Sequence, residues 1–191
     1  MKYKKATVIF FLLSSGILSC FCSCTPKAQI RKNRPAVYLT GSSKYMLLPP
    51  GGIEKPMDMA QRISASWQGR DYFLNAWVKA DEAGMEMTLL NELGAYMGEL
   101  SYRDGFASFS SPVFPSSLKP EYIVADFQLC FYSTPALRQA LEGCGLLLEN
   151  TENSRRIFKG KTVIIEIEKN RNTVRLVNHL RGYAYTLEGN F

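Results

Sequence analysis

The side chains most capable of chemistry are few and scattered. His179 is the sole histidine of the 191 residues, so any Ser-His or Cys-His arrangement must use it. It follows Asn178 in a stretch where Val174, Leu176 and Leu180 alternate, which puts it with Arg175 and Arg181 on a wet face. Glu166 and Glu168 share one strand face and have the spacing of paired carboxylates. Lys161, Lys169 and Arg175 flank them, so a solvent-facing charge ladder is the better reading. No G-x-S-x-G elbow, P-loop or dinucleotide fingerprint occurs. With one histidine and no C-x-x-C pair, a zinc finger is excluded. The expectation is a protein that is not an enzyme and uses no metal or cofactor.

Cysteine carries the remaining chemistry. Lys2, Lys4 and Lys5 precede an apolar run from Ala6 to Leu18, the pattern of an export signal. The run is shorter than the roughly 20 apolar residues a spanning helix needs. Ile17-Leu18-Ser19-Cys20 resembles the lipobox of bacterial lipoproteins, whose cysteine is acylated and becomes the first mature residue. Cys20 is the preferred lipidation site and Cys24 the runner-up, since Phe21 before Cys22 is too bulky for the cleavage position. An ordinary cleaved signal and an uncleaved anchor are the other readings. Several acyl chains on one residue hold firmly, because each buried methylene adds about 0.8 kcal/mol. Cys130 and Cys144 flank a predicted helix; either a disulfide closes a 15-residue loop there or the two are separate buried thiols.

Charge removes another function class. The net charge is +6, but the first 53 residues hold no acidic side chain. From Glu54 onward there are 15 basic and 17 acidic residues, so a nucleic-acid partner lacks its electrostatic footprint. Three segments are expected: a signal peptide over 1–19, a lipidated N-terminus and flexible basic tether over 20–44, and one domain over 45–191. The tether reaches about 25–30 Å, and Lys27, Arg31, Lys32 and Arg34 can touch anionic headgroups or simply be solvated.

The elements that must position these residues are mostly strands. Met59, Ile63, Ala65 and Trp67 alternate with polar neighbours, and Tyr72, Leu74, Ala76 and Val78 share a face of the next strand. Met85, Met87 and Leu89 follow, then Tyr96, Leu100 and Tyr102, then the hairpin signal Asp104-Gly105. A helix capped by Ser117 runs to about Cys130 with Leu118, Tyr122, Ala125 and Leu129 as its apolar stripe. A second covers 134–142, capped by Ser133 or Thr134, and strands then resume to the end. The fold class is α+β: a curved antiparallel sheet of about nine to ten strands, with a two-helix insertion over its apolar face. Asp126 falls inside the first helix. It is expected to accept from Arg138, Arg155 or backbone amides, with a ligand-headgroup contact as the second reading. Arg181 is likewise expected in an ion pair rather than on a lipid headgroup.

Tyr122-Ile123-Val124-Ala125-Asp126-Phe127-Gln128-Leu129, with Phe131-Tyr132 and Pro135-Ala136-Leu137-Arg138 after it, resembles the bacterial lipoprotein family DUF 3261. Leu47-Leu48-Pro49-Pro50 and Leu176-Val177-Asn178-His179-Leu180-Arg181-Gly182-Tyr183 resemble the same family, so the likeness covers about 45–190. The resemblance implies a half-barrel similar to the LolA and LolB lipoprotein carriers, with helices closing an apolar cavity that receives acyl chains. It transfers no catalytic motif. The expected function is an outer-membrane lipoprotein, periplasm-facing, that binds or transfers a lipid or acylated ligand. The expected lining is Trp67, Leu74, Met85, Met87, Leu89, Tyr96, Tyr122 and Leu129. The rival is a structural lipoprotein that docks an envelope protein partner.

Overall fold

The computed structural model describes residues 34–67 and 69–191. The signal segment, Cys20, Cys24 and most of the tether lie outside the described residues. A short antiparallel hairpin comes first, β1 (Ala36–Tyr38) with β2 (Lys44–Met46). It corrects the expected boundary at residue 45. Val37, Leu39, Tyr45 and Leu47 are all buried, so the domain begins before the hairpin. Two three-residue strands are too short to declare a period, which is why this stretch reads as tether.

Two meanders follow, separated by helices. The first is β3 (Met57–Trp67), β4 (Arg70–Ala80), β5 (Gly84–Leu90), β6 (Tyr96–Arg103) and β7 (Phe106–Ser110). Next come α1 (Pro120–Phe131) and α2 (Thr134–Glu142). The second meander is β8 (Leu147–Asn150), β9 (Ser154–Lys159), β10 (Thr162–Lys169), β11 (Thr173–Asn178) and β12 (Tyr183–Glu188). The ten strands β3 to β12 form one open antiparallel sheet in the order β7-β6-β5-β4-β3-β12-β11-β10-β9-β8. The pairing of β3 with β12 joins the two meanders at the centre. α1 packs on β7 and β1, and α2 on β8 and β2, so the helical insertion reaches both sheet edges. The α+β class and the two covering helices are as the sequence pattern predicts.

Local chemistry accounts for the boundaries. Asp104 and Gly105 have φ of 51° and 72°, the left-handed pair a two-residue hairpin turn requires. α1 starts at Pro120, where a missing N–H is harmless; Lys119 precedes it and no side chain caps it, so Ser117 does not do so. α2 also begins without a side-chain cap, Ser133 being its preceding residue. The single apolar stripe expected of α1 is too narrow. Val124, Ala125 and Phe127 through Phe131 are all buried, because the helix lies between the sheet and the β1–β2 hairpin. Gln128 is the tie on that second side. Its Oε1 accepts from the Leu48 N–H at 2.9 Å and the Tyr45 hydroxyl at 3.1 Å, and its Nε2 donates to the Leu48 carbonyl at 2.8 Å.

Candidate functional site

Period-two alternation aims one side chain in two at α1, and the space between is only partly filled. An apolar cavity of about 420 Å³ remains. β3 supplies Gln61, Ile63 and Ala65 to its wall, β4 Leu74, and β5 Met87 and Leu89. Ala184, Tyr185 and Leu187 of β12 continue the wall, and Ile123, Asp126 and Phe127 of α1 form its roof. Phe109, Phe114 and Leu118 stop one end. The volume sits within the roughly 300–1,000 Å³ typical of small-molecule sites.

One carboxyl faces this lining. The Tyr183 hydroxyl donates to Asp126 Oδ2 at 2.7 Å, and Asn178 Nδ2 donates to the Tyr183 oxygen at 3.2 Å. Asn178 Oδ1 in turn accepts from the Arg181 N–H at 2.9 Å, which fixes the β11–β12 turn. Burial pushes Asp126 up to about 7, against the opposing pull of the Tyr183 bond and the Arg181 charge. Near neutrality the cavity therefore holds a carboxyl poised between its neutral and charged forms. Burial and the Asp126 charge also push the Tyr183 phenol up, so it stays a donor.

Several sequence expectations are corrected at this point. Asp126 meets neither Arg138, which is exposed on α2, nor Arg155; its partner is a tyrosine on the far strand. Arg155 instead donates to the Leu129 and Cys130 carbonyls at 3.0 and 3.2 Å, to Asn150 Oδ1 at 2.9 Å and to Glu54 Oε2 at 3.3 Å. Arg181 makes no ion pair within 4.0 Å among the described residues; it stacks 4.3 Å over the Tyr122 ring and donates to the Tyr38 carbonyl. Cys130 and Cys144 are free thiols: Cys130 Sγ lies 3.9 Å from the Tyr185 hydroxyl, and Cys144 donates to the Leu141 carbonyl. Burial pushes the Cys130 thiol up to about 12, which keeps it unreactive.

Of the eight residues expected to line a cavity, Leu74, Met87 and Leu89 do so. Met85 and Leu129 are packed into the core at 2% and 1% exposure and do not border the cavity. Tyr122 lies under Arg181, and Tyr96 is exposed. The register of β5 with β6 shifts between Leu89 and Leu90, so Tyr96 leaves the face that Leu100 and Tyr102 share. Trp67 is placed in β3 opposite Tyr183, and its side chain lies outside the described residues. His179 is surface-exposed, with Nε2 3.7 Å from Glu166 Oε2, while Glu166 accepts from Arg156 at 2.7 Å. The charge ladder exists, but Lys169 is not on it. Lys169 continues the inward series Ile165, Ile167, and with Gln61 it is a polar residue that the sequence pattern did not place on the inner face. The available signal was alternation itself: each stands two residues from an inward apolar neighbour.

The fold and site together define an α+β protein whose open antiparallel sheet and covering helices enclose an apolar chamber with one carboxyl. The chain belongs to the family described as a protein of unknown function (DUF3261), whose model matches residues 58–189. That span contains every residue lining the cavity, whereas Leu47 to Pro50 fall before it. No curated protein matches the chain.

Proposed function

We propose that this chain is a lipoprotein, acylated at Cys20 and held at the outer membrane facing the periplasm, that binds a lipid or acylated ligand without chemical change. The observation that supports this best is the cavity of about 420 Å³ between the sheet and α1, apolar apart from Asp126, Gln61, Ser66 and the two tyrosines. A half-barrel carrier of the LolA and LolB kind is the fold to which this reading assigns the open sheet. Apolar burial at roughly 25 cal/mol per Å² supplies the affinity, and α1 acts as the roof that must yield to admit a chain.

The test fills the space from within. Ala65→Phe places an aromatic ring in the cavity and leaves the outer face unchanged. Uptake of a fluorescent acyl probe should be lost while thermal stability holds or rises, as cavity filling commonly adds about 0.5–2 kcal/mol. Met87→Glu should also abolish uptake. Unchanged uptake in a folded Ala65→Phe protein overturns the reading. The rival reading, docking of an envelope partner, is favoured by Phe73 and Trp77, 51% and 52% exposed on the outer face of β4. A stable protein partner without copurifying lipid would select it.

A further inference from the structure

A second cavity, about 520 Å³, lies along the same inner sheet face. β3 supplies Met57 and Met59 to it, two and four residues before Gln61 of the first cavity. Phe131 lines it one helical turn beyond Phe127, and the two rings stand 4.9 Å apart where the linings of the two chambers adjoin. Phe191 stacks on Phe131 at 5.5 Å and lines the second chamber beside it.

Its charge distinguishes it. Among the side chains that border it, Lys55, Arg155 and Lys169 are cationic and Glu54 and Glu152 anionic. Arg155 is 4% exposed and four of its five N–H donors are taken by Asn150, two carbonyls and Glu54. Lys169 is different. Its backbone N–H is bonded to Asn153, but its ammonium has no carboxylate or carbonyl acceptor among the described residues. It stands 5.9 Å over the Phe131 ring, half-buried. Burial, with the neighbouring Arg155 charge second, holds its pKa below the ordinary lysine value. A half-desolvated ammonium beside a second cation is stabilised by an incoming oxyanion, and a charge-assisted bond of this kind is among the stronger ones.

We infer that this second chamber receives the anionic head of an amphiphile, with Lys169 as the group that binds its phosphate or carboxylate oxygens. Met57, Met59, Phe131 and Phe191 take the first carbons of the tail. The inference rests on the acyl-binding reading and sharpens it: the ligand is an anionic amphiphile rather than a neutral one.

Titration calorimetry of the full-length chain in phosphatidylcholine nanodiscs, with empty-disc heats subtracted, tests it. The probes are decyl phosphate, decanol and inorganic phosphate. Decyl phosphate should bind about tenfold or more tightly than decanol. Lys169→Gln should erase that difference and leave decanol binding unchanged, and Lys169→Arg should preserve it. Lys161→Gln, an exposed control, should change nothing. Equal binding of decyl phosphate and decanol, both blocked by Met87→Glu, overturns the anionic head while the acyl cavity stands. Inorganic phosphate binding as well as decyl phosphate, and lost in Lys169→Gln, overturns the amphiphile in favour of a free-oxyanion site. Binding of none of the three overturns both readings.

Discussion

Asp126→Asn isolates the energetic consequence of a carboxyl in an apolar chamber. The substitution keeps the size of the side chain and leaves an oxygen to accept from Tyr183, while an uncharged amide replaces the ionisable carboxyl. Asp126 has its folded-state pKa raised to about 7 from an ordinary 3.8. The folded protein therefore holds this proton more tightly than the unfolded chain does. Between about pH 4 and pH 7 the unfolded carboxyl has already ionised, and each further pH unit costs about 1.4 kcal/mol of stability. The contribution is fully present below pH 4, is lost as pH rises to 7, and does not change further above that. Across the window the loss amounts to about 2–4 kcal/mol, the lower figure allowing for relaxation around the charge. Urea unfolding of the parent and the variant at pH 4, 5, 6, 7 and 8 measures it. Every other ionisable group is common to both proteins and cancels in the difference. The variant should match the parent near pH 4 and exceed it by about 2–4 kcal/mol at pH 8. A pH-independent difference would refute the reasoning, because it would mean that the carboxyl is solvated as an ordinary aspartate.

Four further outcomes follow from the same structure. Uptake of a neutral acyl probe should weaken as pH rises through about 7 in the parent and stay flat in Asp126→Asn, since ligand entry desolvates whatever charge is present. Gln128→Leu should destabilise by about 3 kcal/mol or more in urea, because it strips the Leu48 N–H and the Tyr45 hydroxyl of their buried acceptor. Gly98→Ala should destabilise by about 1–3 kcal/mol: φ is 153°, and an added Cβ would meet the Ser110 carbonyl at 2.8 Å. Maleimide labelling followed by peptide mass mapping should modify Cys144 in the native protein and Cys130 only after unfolding, and a bonded pair would show neither.

How far the sequence could be read depended on the length of each signal. β3 and β4 each run 11 residues, long enough for period two to declare both the strand and its inward face. α2 was legible to the residue because it is amphipathic, burying only Leu137 and Leu141. α1 was legible as a helix but not in its surroundings, since burial on two sides erases the contrast that marks a face. Register was not legible either. The shift between Leu89 and Leu90 that sends Tyr96 outward leaves no trace in alternation. The cavity lining inherits both limits: residues on regular strands were found, whereas those placed by a bulge or by helix rotation were misassigned. Asp126 stood out as a polar residue in an apolar helix, yet its partner lies 57 positions away, a distance no local pattern spans.

Two stretches inside the family match, on α1 and at the β11–β12 turn, form one physical unit with Leu47 to Pro50, which precede it. Gln128 bonds the backbone of Leu48, and Asp126, two residues earlier on α1, bonds Tyr183, which is itself held by Asn178. Successive polar residues on one helix thus reach in opposite directions, one to the N-terminal segment and one to the β11–β12 turn. Phe127 between them points into the apolar cavity, and Ala125 is fully buried. A helix needed only for packing would be held by its apolar residues alone, and these polar ties would then add desolvation cost without purpose. What the ties provide is position. They hold α1 at a set height above the sheet, so that the gap beneath it persists instead of collapsing onto Ile63, Leu74 and Met87. Apolar contact alone favours closing such a gap, because each unfilled surface forfeits dispersion and transfer energy. A chamber of about 420 Å³ in this environment needs such a prop, and the polar side chains of α1 are placed to supply it.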